Sequence, residues 1–528
     1  MSVGATEADR AAQRAYQQAR QARLYPTRLL PSHTPGRLRW MSGISVVAVA
    51  VLLAVAWSFV SWAQDSVTLI GSEAGPRASS SAELYHALAE MDNQVARVVL
   101  IDSTSGVNGA DQNGVEDDGQ ATGDADADRS EALDLYEERR TEANRAALET
   151  SSLTAGDDEA VATMGEILDG VGHYERLAAE VLLLSAESNG DETVSAEVRE
   201  LYAEATDHMR EEVLPKAYNL SLESTSIIRA ATEEGDATLQ RGQLLVALTG
   251  VVVIATLVIL QLYVRAKFRR RLSPALLAAS VVVAVMAVGT LNSLAVVSSD
   301  LRSATDDGLD SEVRLAQARA ISAATNGDQT RYLIDSARAD TYEQTYLEAS
   351  QSVLFVPGDS VDTFAEAAEA AVAEYRGESH DTALFDEIVE QQPDGMLGLL
   401  GEHASTQELT EEQRDGVESV LEAYLQVRQA DLEMRDSSTL LDAAELRLDE
   451  SDDGLAGAQL AYEAELTELI EVHNETFVEA VDSANSELGS SNVILPVGAV
   501  LAAALVVFGV RPRIVEYTQN RRETEGTE

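Results

Sequence analysis

The sequence predicts an all-α membrane protein, with four transmembrane helices and two tandemly repeated extracytoplasmic helical-bundle domains. Three observations predict it. Four uncharged apolar runs are each long enough to cross about 30 Å of hydrocarbon, which takes roughly 20 helical residues. The two long acidic stretches between them place apolar residues at steps of three and four, the helical period. The word Leu-Ile-Asp-Ser occurs twice, at Leu100–Ser103 and Leu333–Ser336, an offset of 233 residues.

Residues 1–42 form a basic cytoplasmic N-terminal segment, and the first span is 43–63. Trp40 and Trp62 bracket it, as interfacial aromatics do. About forty residues precede the apolar run, more than the n-region of a cleaved signal peptide, so Ser61-Trp62-Ala63 closes a signal anchor. The first extracytoplasmic bundle covers 64–243, with an acidic flexible insert at 105–130 rich in Gly, Asp and Asn. Span two is 244–264, a basic loop occupies 265–274, and span three is 275–298. The second bundle covers 299–490, span four 491–510 and the tail 511–528.

Charge sets the orientation. Arg28, Arg37 and Arg39 precede span one, and the tail begins Arg-Pro-Arg and carries Arg521 and Arg522. Arg265, Lys267, Arg269, Arg270 and Arg271 stand between spans two and three. Short basic segments stay inside. The expectation is a multi-pass protein of the cell membrane, in contact with lipid, with both termini cytoplasmic and both long stretches outside. The formal net charge is −52, which excludes a nucleic-acid partner because phosphates would repel the chain. There is no cysteine, hence no disulfide and no thiolate metal site.

The offset of 233 also aligns Asn93 with Asn326, and Ile44 with Leu277 where spans one and three begin. Past the insert, Tyr136-Glu137 and Tyr342-Glu343 match at an offset of 206, with Ala143 and Ala349 following. A parallel duplication of span, outside domain and span explains the set. Leu84, Leu88, Met91, Val95 and Val98 form an apolar seam. So do Ile167, Val171, Tyr174, Ala178 and Val181, and Val417, Val420, Tyr424 and Val427. Such seams are core positions. Val356-Pro357-Gly358 reads as a turn.

Searches for chemistry return negatives. Asp124, Asp126 and Asp128 have calcium-loop spacing, but Arg129 stands where Gly is needed and Leu135 where a bidentate Glu is needed. The seven histidines form no paired motif, and no phosphate loop or nucleophile elbow appears. The expectation is a non-enzymatic protein without cofactor or metal. Gln261 and Asn292 are candidates for bonding helix to helix within the membrane. Asp102 and Asp335 end their copies of the repeated word near a predicted helix C-terminus, where the backbone dipole disfavours a carboxylate. Either a turn compensates, with Arg331 one helical turn from Asp335, or these residues mark a contact site for an extracytoplasmic partner. Arg265, Lys267, Arg269, Arg270 and Arg271 are either a cytoplasmic output surface or topology anchors.

Thr-Pro-Gly-Arg-Leu-Arg-Trp at 34–40, four spans, two long helical outside domains and the basic hinge at 265–271 resemble the GlnX-type membrane proteins of actinobacteria. The resemblance implies a signal relay that passes amino-acid availability (glutamate and aspartate) from an extracytoplasmic solute-binding lipoprotein to a cytoplasmic serine/threonine kinase, PknG. Two alternatives stand beside it: an envelope scaffold or assembly protein, and a sensor that captures a small molecule directly. Homo-oligomerisation is compatible with each.

Overall fold

The computed structural model describes residues 34–108, 120–154, 156–187, 194–268, 273–376, 398–404, 409–451 and 453–525. Among these residues the regular structure is helical, and no strand occurs. In chain order the helices are α1 (Thr34–Leu69), α2 (Gly75–Asn108), α3 (Gln120–Leu153), α4 (Asp158–Glu187), α5 (Ala196–His208), α6 (Leu214–Phe268) and α7 (Pro274–Arg302). There follow α8 (Asp310–Ile334), α9 (Ala339–Val353), α10 (Val361–Tyr375), α11 (Gly398–Ala404), α12 (Glu411–Arg435), α13 (Leu440–Leu448) and α14 (Leu455–Glu525).

Three π-helical turns join α1 to α2 (Ile70–Ala74), α5 to α6 (Met209–Val213) and α7 to α8 (Ser303–Leu309). At their ends Gly75 N–H donates to Ile70 O, Leu214 N–H to Met209 O, and Asp310 N–H to Thr305 O. The first and third turns begin at Ile70 and Ser303, again 233 residues apart.

The chain divides into two compact units. The membrane unit gathers the described residues among 34–64, 237–297 and 486–525. Among the described residues, four helical runs are long and apolar enough to cross a membrane: Gly36–Thr104, Ala196–Ala266, Pro274–Ile334 and Leu455–Pro512. The membrane unit packs through small residues. Gly242 of α6 lies against the Phe59 ring of α1, and Gly498 of α14 against Met286 of α7. A methyl group at either glycine would collide, which is how backbones approach closely where water supplies no driving force. Leu495, Ala499, Ala502 and Val506 bury one face of α14, while Val493, Val497 and Val500 remain exposed, as lipid contact requires. Gln261 Nε2 donates to Leu276 O and Ser280 Oγ, both at 3.0 Å, and so clasps spans two and three as expected. Asn292 is exposed.

The large unit gathers the described residues among 65–236 and 298–485. Both long segments feed one core, in which α2 packs on α3 and α8, α8 on α9, and α10 on α12. Leu84, Leu88, Met91 and Val95 are buried there, with Ile167, Tyr174 and Val181 of α4 and Val417, Val420, Tyr424 and Val427 of α12. Val356-Pro357-Gly358 lies between α9 and α10, as its turn residues predict. Thr410 caps α12, accepting from Gln413 N–H while the Gln413 side chain accepts from Thr410 N–H.

Within 105–130, α2 continues to Asn108 and α3 begins at Gln120, and only 109–119 lie outside the described residues. Ala121, Ala125 and Ala127 give this acidic stretch a helix propensity that a composition count hides. Arg129, inside the same stretch, is tied to the core as described next.

Candidate functional site: a buried polar seam

α2 carries an apolar stripe interrupted by the buried carboxylates Glu90, Asp92 and Asp102. α8 is different: its buried face holds Gln317, Ser322, Thr325, Asp328, Gln329, Thr330 and Arg331 among alanines. Small and polar side chains leave α8 little apolar surface of its own. Its burial therefore depends on partners that satisfy each polar group.

The partners come from both segments. Arg331, 2 % exposed, directs Nη2 to Asp92 across the seam, Nη1 to Asp328 at 2.8 Å, and Nε to Tyr202 OH at 3.1 Å. Asp92 also accepts from Tyr174 OH at 3.0 Å and Thr206 Oγ1 at 2.7 Å. Arg210 Nη1 stands 3.4 Å from Asp328. Burial raises the Asp328 carboxyl, with Arg331 and Arg210 pulling the other way. Burial opposes charge on Arg331 too, but Tyr202, Asp92 and Asp328 outweigh it and raise its guanidinium well above the ordinary value. Desolvation raises the Tyr174 phenol, and Asp92 adds to the effect. The result is a satisfied charge cluster that ties α2, α5 and the π turn at 209–213 in the first segment to α8 in the second.

Two further clusters flank it. Asp431 of α12 accepts from Gln329 Nε2 at 2.8 Å and Arg435 Nε at 2.9 Å, and Arg435 lies 4.5 Å from the Tyr332 ring centre. Arg428 donates to Ser350 Oγ at 2.8 Å and lies between the Tyr424 and Tyr346 rings at 4.7 and 4.9 Å. Around α2, His86 Nε2 meets Glu463 at 3.2 Å, and Arg139 approaches Glu463 at 3.8 Å. Burial and then the Glu463 charge raise the Glu90 carboxyl, while His86, Arg139 and the amide of Asn93 draw it down. Other contacts cross between the segments: Arg319 with Glu83, Arg338 with Asp207, and Ser79 with Glu312. Ser79 and Glu312 are 233 residues apart, so the latter pair joins positions that the sequence offset equates.

Asp102 and Asp335 are both buried, at 3 % and 7 % exposure. Asp102 accepts from Arg129 Nε at 2.8 Å and Ser185 Oγ at 2.6 Å. Asp335 accepts from Arg338 Nε at 2.8 Å, with Arg199 at 3.8 Å. A guanidinium binds each carboxylate and neither is free at the surface; only Asp335 stands at a helix end, because α2 runs on past Asp102 to Asn108. Arg331, one turn from Asp335, gives that residue only a backbone carbonyl, because its side chain serves Asp92. Of the basic hinge, Arg265 is exposed; the Lys267 side chain and Arg269, Arg270 and Arg271 lie outside the described residues. No group of three or more metal-ligating side chains occurs among the described residues. The seam residues Asp92, Asp328 and Arg331 escaped a reading based on apolar period. The available signal was two opposite charges three apart, Asp328 and Arg331, in a helix rich in Ala, Ser and Thr.

Four helices of membrane-crossing length beside a large helical unit fit a membrane protein. Residues 66–233 match the model of the actinobacterial sensor domain, which supports a sensing or signalling role. The matched stretch contains Asp92, Tyr174, Tyr202, Thr206 and Arg210, whereas Arg331 and Asp328 lie beyond it. No curated protein and no solved structure matches the chain.

Proposed function

We propose that the chain is a non-enzymatic transmembrane signal relay, and that its sensing unit responds by repacking the seam between its two long segments. The observation that carries this reading is the Asp92–Arg331–Asp328 cluster, a buried charge network with one half in the sensor-matched segment and one half outside it. Buried charge pairs are weak as glue but exacting about geometry, so they suit an interface with discrete arrangements. A ligand or docked partner shifts such an interface only by binding one arrangement better, and about 1–3 kcal/mol of coupling suffices. Equal placement of the π turns at Ile70 and Ser303, and the Ser79–Glu312 contact, support reading the two segments as a doubled unit.

The finer reading follows the GlnX-type resemblance. An extracytoplasmic binding lipoprotein reports amino-acid availability, and the basic cytoplasmic face at Arg265–Arg271 hands the signal to a serine/threonine kinase. The basic flanks support this orientation, with both termini and 265–274 inside. The chain has no cysteine, so the test is direct. Cysteines placed at Ser79 and Glu312 are oxidised to lock the seam. Locking is expected to freeze ligand-dependent kinase output in one state while the reduced protein responds normally. A locked protein that responds as well as the reduced one would refute the relay.

A further inference from the structure

Spans three and four pack on each other, but one side of their seam is open. Between α7 and α14, within the membrane unit, runs a groove of about 610 Å³. Val281 and Val285 of α7 and Val493 and Val497 of α14 form its apolar walls, each more than half exposed. Gly289 also lines it, and a methyl group placed there would meet nothing within 4 Å. On the same helix pair Gly498 is pressed against Met286, so the open space at Gly289 is local.

The groove is polar at one end only. Glu487, Ser490 and Ser491 of α14 stand there with Asn292 and Ser293 of α7. Ser293 Oγ donates to Glu487 Oε1 at 2.5 Å, while Ser490 Oγ and Ser491 Oγ donate to Glu487 O at 2.8 and 3.4 Å. The other carboxylate oxygen of Glu487 has no partner among the described residues, and no Arg or Lys pairs with it there. The exposed Asn292 amide has no partner among them either. Glu487 lies about one helical turn before span four, at the level of lipid headgroups. A carboxylate at that depth without a counter-ion is costly, and hydrocarbon offers an amide nothing to bond. A negative acceptor and a free donor thus stand together at one end of an apolar channel.

We propose that this groove seats one phospholipid with a primary-amine headgroup, its ammonium on Glu487, its phosphate on the Asn292 amide, and one acyl chain along Val281, Val285 and Gly289. The channel from Asn292 to Val281 is about 16 Å long by helical rise, which matches one leaflet of a hydrocarbon core about 30 Å thick. Headgroup choice follows from the donors. A primary ammonium carries both charge and N–H, so it answers the charge and the unused lone pairs of Glu487 together. A quaternary ammonium has the charge without the N–H, and a glycerol headgroup has hydroxyls without the positive charge. The seated lipid bridges α7 and α14 beside the Ser293–Glu487 bond. The inference goes beyond the relay reading and does not rest on it.

The full chain in detergent is titrated with phosphatidylethanolamine, phosphatidylcholine and phosphatidylglycerol of identical acyl chains, and bound lipid is counted by native mass spectrometry. Phosphatidylethanolamine is expected to give its first adduct at about 3- to 5-fold lower concentration than either of the others. Glu487→Gln keeps the shape and is expected to erase that preference. Gly289→Leu fills the channel, introduces a good helix former, and is expected to remove the preferred adduct. The proposal is overturned if the three lipids bind alike, or if the preference survives in either variant. It is also overturned if the parent is a lipid-free dimer that Gly289→Leu makes monomeric, since the groove is then an interface between copies of the chain. Should one variant fail to fold, the other decides.

Discussion

The two copies of Leu-Ile-Asp-Ser have the same four residues and meet different ends. At Asp102 the helix runs on, and α2 stops only at Asn108. At Asp335 it stops: this residue leaves helical geometry at φ −121°, ψ 76°, and α8 ends at Ile334. The difference lies in where the arginine comes from. Asp335 is bound by Arg338, three residues on, and Arg338 N–H also donates to Asp335 O at 3.0 Å. Side chain and backbone together close a local turn, which competes with the helix. Asp102 is bound by Arg129 from α3 and Ser185 from α4, so nothing nearby draws the backbone out of the helix. One word therefore encodes a buried carboxylate in both places, and its neighbours decide whether it ends a helix.

Substitutions sharpen the contrast between acids bound from across the fold and acids bound locally. The largest effect is expected at Asp92, whose loss strands Arg331 in the interior. Asp92→Ala is expected to cost about 3–5 kcal/mol, read by denaturant unfolding of the full chain. Asp102→Ala leaves Ser185 buried without its acceptor, but Arg129 can turn toward water; about 2–3 kcal/mol is expected.

The third test uses pH. Burial works against the Glu463 carboxylate, yet His86, Arg139 and Arg319 hold its pKa down at about 2, below the ordinary 4.5. Its contribution is present above about pH 4.5 and is lost as pH falls toward 2. Glu90 is shifted the opposite way, chiefly by burial, so it favours the folded state when protonated and weakens it as pH rises through its elevated value. The midpoint of Glu463→Gln is expected to fall less between pH 5 and 3 than that of the parent, and Glu90→Gln is expected to be more stable than the parent at pH 7. Reversed signs would show that the charges in this cluster are arranged otherwise. Asp335→Ala should matter least, about 0.5–1 kcal/mol, because Arg338 and Arg199 are each about a third exposed and water replaces the partner. If it proves as damaging as Asp102→Ala, the distinction between local and distant partners fails.

Much of the fold was legible because apolar period is a local property. The seams through Leu84–Val95, Ile167–Val181 and Val417–Val427 are buried as read, and Gln261 joins two spans as read. The polar seam was not legible because its partners are remote. Asp92 and Arg331 are 239 residues apart, and nothing in either neighbourhood names the other. Helical spacing places Arg331 beside Asp335, but Arg338 takes that role and frees Arg331 to cross between segments. The charge total of the acidic stretch likewise gives no sign of the helix start at Gln120 or of the bond from Arg129 to Asp102. Asn93 and Asn326 were visible as a matched pair, while the Arg447 guanidinium that bonds to both lies more than a hundred residues beyond the second.

The π turns at Ile70–Ala74 and Ser303–Leu309 give these helices a second property. Each turn adds one residue to the helical count, so every side chain after it is rotated by about 100° from where an unbroken helix would aim it. The turn works as a phase shifter. Residues before it and residues after it can each keep a three-and-four rhythm, tuned to different surroundings, on a single continuous rod. Moving the extra residue along the rod by a few positions would re-aim only the side chains it passes, leaving both ends in place. A helix with such a slack link can be retuned stepwise without being broken, and both seam helices, α2 and α8, begin directly after one.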